Sequence, residues 1–379
     1  MSGAEVFPRR SAARRIADLA VGAAACVLFI STFMLPTFGA NSRGEIHAHV
    51  TQTLQHKNWV TSLGWSPDGK LLVTSGILSP DLTIWDAQTG KIVRALHRQI
   101  GMGESVAFMG GGRYLLTSAS TDAPGITLSL WDLTTGEITR QVKGLFPEKD
   151  VRHNGAQLFA LDPDQKMVAS VAEQAPGYPI TFFDTQSWEL VKKLSVPKVS
   201  AFRFVISPDG KSIAIGTIDG YIKIFDVATL DLLRTIDAYV HNDAAGIDTI
   251  AFSPDGRFLA SGATNPYVKY REGDPKRIGQ LPWDPIRIWN VADGSLVRSF
   301  TFTGQLGPVR GIAWSPDGQY LASANGDHTV RLWRADSEST GIVVTTLPRD
   351  AAFAVAFSPD GKRLAACGEN VAIIATIDR

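Results

Sequence analysis

The stretch Ser66-Pro67-Asp68-Gly69, followed by Lys70-Leu71-Leu72-Val73, decides how this chain is read. A proline that presets φ, an aspartate that turns the backbone and a glycine that supplies a left-handed residue together make a short hairpin tip. The tetrapeptide recurs at Ser207, Ser253, Ser315 and Ser358, each time after an apolar residue and before a further strand-like run. Two degenerate copies, Met109-Gly110-Gly111-Gly112 and Asp162-Pro163-Asp164-Gln165, fill the large gap and bring the tips to seven. Successive starts lie 43, 53, 45, 46, 62 and 43 residues apart, near the ~40–45-residue period of a four-stranded propeller blade.

Downstream of each tip an alternating segment ends in an aromatic: Trp85-Asp86, Trp131-Asp132, Phe183-Asp184, Phe225-Asp226, Trp289-Asn290 and Trp333-Arg334, with a weak Ile374-Ala375 in the seventh copy. Period two marks strands. Turn signals such as Gln88-Thr89-Gly90 and a further strand complete each unit. On these motifs residues 46–379 resemble the WD40-repeat family of seven-bladed β-propellers. The resemblance implies an all-β fold of four-stranded antiparallel blades acting as a binding module. TolB-like propellers, envelope proteins rich in the same hairpins, are the second resemblance, and the Trp-Asp strands argue against it. No repeat carries the Gly-His dipeptide, and Trp-Asp is intact only in repeats 1 and 2, so most blades are expected to rely on packing of the aromatic. The seventh repeat needs a fourth strand, and His47 to Gln55 are expected to supply it, closing the ring and covering a sheet edge.

The 37 Lys and Arg balance 37 Asp and Glu, without the basic footprint of a nucleic-acid binder. Cys26 and Cys367 are too few for a disulfide framework or a Cys-rich zinc site. Residues 1–45 form a separate segment. Arg9, Arg10, Arg14 and Arg15 precede an uncharged run from Leu19 to Ser42, longer than the ~7–15 residues of a signal-peptide core. Continued as a helix to Ala40, it matches the ~30 Å hydrocarbon thickness. A single-pass anchor over residues 19–40 is expected, with a cleaved signal peptide as the alternative. The arginines place the amino terminus in the cytoplasm and the propeller, expected as a monomer, on the periplasmic or outer side of a bacterial-type cytoplasmic membrane.

In an antiparallel meander the Ser-Pro-Asp-Gly tips share one end with the third turns. The second turns and the connectors between blades lie at the other. The large departures from the repeat all fall at the connector end: long second turns in repeats 2 and 3, a second turn about 18 residues longer in repeat 5, and an extended connector before repeat 3. That face is the candidate binding surface for a protein partner. The repeat 5 insertion, Asn265 to Pro285, carries Tyr267, Lys269, Tyr270, Arg271, Lys276, Arg277 and Trp283, types enriched at interface hot spots. The same aromatics suit an envelope glycan, and a plain surface insertion with its aromatics packed on its own blade accounts for them as well.

At the channel mouth the seven equivalent positions read Thr61, Glu104, Gln157, Phe202, Asp248, Arg310 and Phe353. They lack the converging oxygen ligands of a channel-bound calcium ion. Glu104, Asp248, Arg310 and Phe353 join the candidate binding residues, with a salt bridge from either acid to Arg310 expected ahead of a carboxylate pair. His47 and His49 share a strand face, but two ligands do not make a metal site. No cofactor, metal or catalytic residue is expected. A propeller enzyme acting on a small molecule at the channel mouth is the alternative function.

Overall fold

The structure is a computed structural model that describes residues 46–76, 81–97, 105–120, 126–142, 159–171, 179–196, 201–239, 246–263, 285–300, 307–337, 341–348 and 351–378. Among the described residues, seven four-stranded antiparallel sheets stand as the blades of a propeller. Blade 1 runs outward through Ser62–Trp65, Leu71–Ser75, Asp81–Asp86 and Ile92–His97. The innermost strands of blades 2 to 7 are Val106–Met109, Phe159–Leu161, Ala201–Ile206, Ile247–Phe252, Val309–Trp314 and Ala354–Phe357. In blade 7 the outermost strand is His47–Gln55, which pairs antiparallel with Val371–Asp378 from His47 opposite Asp378 to Gln55 opposite Val371. The first strand therefore closes the ring on the last blade. No helix among the described residues is long and apolar enough to cross a membrane. The segment 1–45 lies outside them.

Each tip is tied by the side chains that spell it. Ser66 Oγ donates to Asp68 Oδ1 at 2.7 Å and accepts from the Leu71 amide at 2.9 Å, Asp68 Oδ1 also accepts from the Lys70 amide at 3.0 Å, and Gly69 sits at φ +70°. The same bonds recur at Ser207, Ser253, Ser315 and Ser358. In the degenerate third copy Asp162 Oδ1 accepts from the Met167 amide at 2.7 Å and Gln165 takes the left-handed position at φ 56°.

The tips also touch one another around the ring. Pro67 lies against Gly112, Pro163 against Gly210, Pro208 against Gly256, Pro254 against Gly318, and Pro359 against Gly69 across the closing seam. Outer-strand cations fasten the same seams: Arg94 Nη1 donates to Leu133 O at 2.8 Å, Arg234 Nη1 to Asp293 O at 3.0 Å, and Lys192 Nζ to Val227 O.

The core fills the space between blades. Leu63, Trp65 and Leu72 of blade 1 pack with Ala354, Ala356, Ala365 and Ile374 of blade 7, whose small residues admit the indole. Trp65 Nε1 donates across that seam to Ala356 O at 3.1 Å. The expectation that the aromatics act by packing alone is corrected in four blades. The indole nitrogens of Trp85, Trp131, Trp289 and Trp333 donate to Thr74, Thr117, Ser261 and Ser323 at 2.8, 3.1, 2.9 and 2.9 Å. Each acceptor is a small hydroxyl on the second strand, so a buried N–H that burial would otherwise leave costly is satisfied inside the blade. Phe183 and Phe225, lacking a donor, are the aromatics that act by packing.

Asp86, the aspartate after the first tryptophan, builds the third turn. Its Oδ1 accepts from the amides of Gln88 and Thr89 at 3.1 and 2.7 Å, Asp184 and Asp226 do the same in their blades, and Asp132 accepts from the Thr134 amide at 2.7 Å. These backbone donors hold the Asp86 and Asp226 carboxyls below the ordinary carboxylate range.

Candidate functional site

The innermost strands of blades 4, 5 and 6 each carry a register shift at the connector end, between Ala201 and Arg203, Ile247 and Thr249, and Val309 and Gly311. The residues skipped by the pairing are Phe202, Asp248 and Arg310. A bulge leaves one residue out of the ladder and re-aims its side chain, which is how repeated strands deliver Asp248 and Arg310, opposite in charge, to one rim. The second strands face these bulges with Gly216 and Gly262. A Cβ on Gly216 would lie 2.6 Å from Ile247 Cγ2, and one on Gly262 would lie 2.8 Å from Val309 Cγ1, so glycine there lets the next blade's inner strand approach.

From these positions a row runs along part of the channel mouth. Arg203, 2% exposed, donates through Nε to the backbone oxygen of Asp248. Asp248 is 8% exposed, and its Oδ2 has no hydrogen-bond partner among the described residues. The Arg310 guanidinium lies 5.1 Å from the centre of the Phe353 ring, within cation–π range. Phe353, buried, stacks on Trp59 with centroids 5.6 Å apart and planes 25° from parallel. Trp59 comes from the segment that follows the closing strand, and a Cβ on Gly76 would fall 1.6 Å from its carbonyl oxygen.

Of the salt bridge expected from Glu104 or Asp248 to Arg310, the Asp248 arm is not formed as an ion pair among the described residues, where the guanidinium lies over the Phe353 ring, and Glu104 lies outside them. The charges still feel one another. Burial pushes the Asp248 carboxyl up to about 6, against the opposing pull of Arg203 and Arg310. Arg203 was not singled out in the sequence, since the bulge shifts the register by one and no local signal announces it. Thr61 is buried at the mouth of blade 1. Glu104, Gln157, the side chain of Phe202, and the insertion residues Tyr267, Lys269, Tyr270, Arg271, Lys276, Arg277 and Trp283 lie outside the described residues. His49 Nδ1 meets Asp378 Oδ2 at 3.1 Å on the outer strand, and among the described residues no group of three or more His, Cys, Asp or Glu is placed to hold a metal ion.

A second titratable group, partly buried and with its Nε2 shut away from solvent, stands where the closing strand ends. His56 packs edge-on against Trp85 with centroids 5.1 Å apart, and burial pushes its imidazole down to about 4. The two groups act in opposite senses on stability. The unfolded chain binds a proton at histidine near 6.5 while folded His56 resists it, so this contribution grows as pH rises from about 4 to 6.5. Folded Asp248 holds its proton up to about 6 while an unfolded aspartate releases it near 3.8, so its contribution falls as pH rises across that window. Each is worth about 3 kcal/mol at ~1.4 kcal/mol per pH unit, and Asp162, raised by burial, adds to the aspartate side. His56→Leu is therefore expected to give a protein whose urea midpoint declines from pH 4.5 to 6 relative to the parent. Asp248→Asn is expected to give one whose midpoint rises over the same range. Parallel curves for all three proteins would show that neither group titrates as its burial requires.

The repeat model of the WD domain, G-beta repeat, matches residues 48–86, 188–226, 231–270 and 295–334. The chain is a WD40-repeat propeller. The first matched WD40 repeat begins in the strand that closes blade 7 and ends at Trp85-Asp86, so a sequence repeat gives its first strand to one blade and its other three to the next. The matches fall on blades 1, 4, 5 and 6, each with an intact tip. Similar proteins include an uncharacterized WD repeat-containing protein of Synechocystis, 29% identical over 45% of this chain and 43% of that protein. Protein tipD of Dictyostelium discoideum is 24% identical over 72% of this chain and 40% of its own length. Autophagy-related protein 16 of Arabidopsis thaliana is 22% identical over 69% and 45%. The WD40 propeller thus spans less than half the length of these curated relatives.

Proposed function

We propose that this WD40 propeller is a non-catalytic binding platform that takes a protein partner on its connector face, at the outer side of the cytoplasmic membrane. The observation that carries the reading is the row Arg203, Asp248, Arg310, Phe353 and Trp59 at the channel mouth. The bulged inner strands of blades 4, 5 and 6 carry Arg203, Asp248 and Arg310, Phe353 and Trp59 stand before the inner strands of blades 7 and 1, and the residues so brought together are chemically unlike. Guanidinium and aromatic groups are the ones most often found at the centre of protein–protein contacts. A row without sevenfold equivalence suits an asymmetric partner better than a ligand on the channel axis. The relatives that share the repeat support a binding role of this general kind. The membrane placement rests on the uncharged run Leu19 to Ser42 and the four arginines before it.

The test is crosslinked affinity capture from envelope extracts with four folded proteins: the intact chain, Arg310→Ala, Asp248→Asn, and a version in which residues 265–285 are replaced by a short Gly-Ser turn. A protein captured by the intact chain and reduced at least tenfold in the Arg310 and Asp248 variants supports the mouth as the docking site. Loss only in the loop replacement moves the contact to the repeat 5 insertion. Equal capture by all four, or none, overturns the platform reading.

A further inference from the structure

The closing strand fixes more than the ring, because it sets where the N-terminal segment joins the fold. His47 pairs with Asp378 and Gln55 with Val371. Val371 follows the second turn of blade 7, at the connector end, while Asp378 lies at the tip end, where the Ile377 amide donates to the oxygen of the tip residue Lys362 at 2.8 Å. The chain therefore enters the propeller at the tip face, on the outer edge of blade 7, and runs toward the connector face. The geometry points to a fixed presentation: the membrane segment holds the propeller with its tip face toward the bilayer and its channel-mouth face away from it. This rests on the membrane reading of residues 19–40.

Reach decides between the two orientations. If the span ends at Ala40, five residues, 41–45, remain before Ile46, and they extend at most about 18 Å at ~3.5 Å each. To turn the connector face to the lipid, the linker would have to run back along the full nine-residue closing strand, about 30 Å at ~3.3 Å per residue. Even a linker counted from Pro36 reaches about 35 Å, which covers that height and leaves little for the loops beyond it. The tip face itself carries charge in self-paired form, Asp68 with Lys70 at 3.6 Å, Asp164 with Lys166 at 3.3 Å and Asp255 with Arg257 at 3.9 Å. The linker, rather than attraction to headgroups, sets the orientation. The partner this surface fits is a protein free in the compartment beyond the membrane, not one confined to the same bilayer.

Blade 4 offers an internal ruler. Lys211 at the tip end and Ile218 at the connector end flank the strand Ser212–Thr217, and both are exposed. The native Cys367 is buried and stays unlabelled in the folded protein, so a Cys26→Ala background accepts a donor dye at Lys211→Cys or Ile218→Cys alone. The full chain is reconstituted in phosphatidylcholine vesicles carrying an acceptor-labelled lipid, and energy transfer is measured for each site on the leaflet that bears the propeller. Transfer from position 211 at least twofold stronger than from 218, with the difference abolished by twenty Gly-Ser residues inserted before Ile46, is the expected result. Equal transfer, or stronger transfer from 218, overturns the orientation while the membrane reading stands. Failure of the intact chain to float with vesicles overturns the membrane reading and the orientation with it.

Discussion

A chain lacking residues 46–55 melts at least about 10 °C below the intact protein and self-associates. That result is expected because the deletion does three things at once. It removes Leu54, which is 1% exposed and packs with Leu63, Trp65 and Ile374 at the seam of blades 1 and 7, a loss of about 2–5 kcal/mol for a buried leucine. It strips the outer ladder partner from all of Val371–Asp378, leaving a long apolar edge that is free to pair with another chain. It also removes the Gln52 side-chain amide, which donates to Gln88 O at 2.8 Å and ties the closing strand to the third turn of blade 1. Against a net stability of ~5–15 kcal/mol for a typical domain, the sum is a large share, and each kcal/mol moves the midpoint by ~2–4 °C in chains of moderate size. Calorimetry and size-exclusion chromatography give the comparison. A synthetic peptide of residues 46–55 added in trans restores part of the loss if the strand acts through pairing. An unchanged melting temperature in the deletion would mean that the ring is closed by something else.

Trp333→Ala is expected to destabilise the propeller by about 3–5 kcal/mol, the range for removing a large aromatic from a packed core. The indole is 0% exposed, sits 5.3 Å from the Phe300 ring, and belongs with Ile286, Ile288 and Leu321 to the core shared by blades 5 and 6. Its nitrogen donates to Ser323, whose hydroxyl also accepts from Asn325 Nδ2 at 3.1 Å. Trp333→Phe keeps most of the ring volume and leaves Ser323 with a donor, so it is expected to cost about 1–2 kcal/mol. Urea denaturation of the three proteins orders them. Equal midpoints for the phenylalanine and alanine variants would show that the hydrogen bond, rather than the packed volume, carries the position.

The blades were legible because the information that specifies them is local. A four-residue tip fixes a hairpin, and a period of two followed by an aromatic and a turn fixes the third and fourth strands. The degenerate third copy keeps the turn even without its glycine, Gln165 taking the left-handed position instead. The closing strand was legible for a different reason: a repeat that lacks its outermost strand leaves an edge, and a strand-like run stood unassigned before the first repeat. The hydroxyl partners of the tryptophans were missed although Thr74, Thr117, Ser261 and Ser323 are plain in the sequence. The expectation had been tied to a Gly-His dipeptide, whereas the indole nitrogen needs only an acceptor on the neighbouring strand.

The candidate site was legible by position and not by arrangement. Asp248, Arg310 and Phe353 stand at the mouth, yet the placing of the Arg310 guanidinium over the Phe353 ring and the entry of Arg203 beside Asp248 follow bulges that shift register by one residue. Sequence by itself determined the number of blades, their strands, the tips and the closure, because turn chemistry and strand periodicity act between residues a few positions apart. Only the tertiary structure decided that five tip prolines pack on the next tip's glycine, that five of the seven blades contribute to one polar and aromatic row, and that the closing strand starts at the tip face. Those relations join residues tens to hundreds of positions apart, and they exist only once the blades stand side by side and every inner strand meets its neighbour.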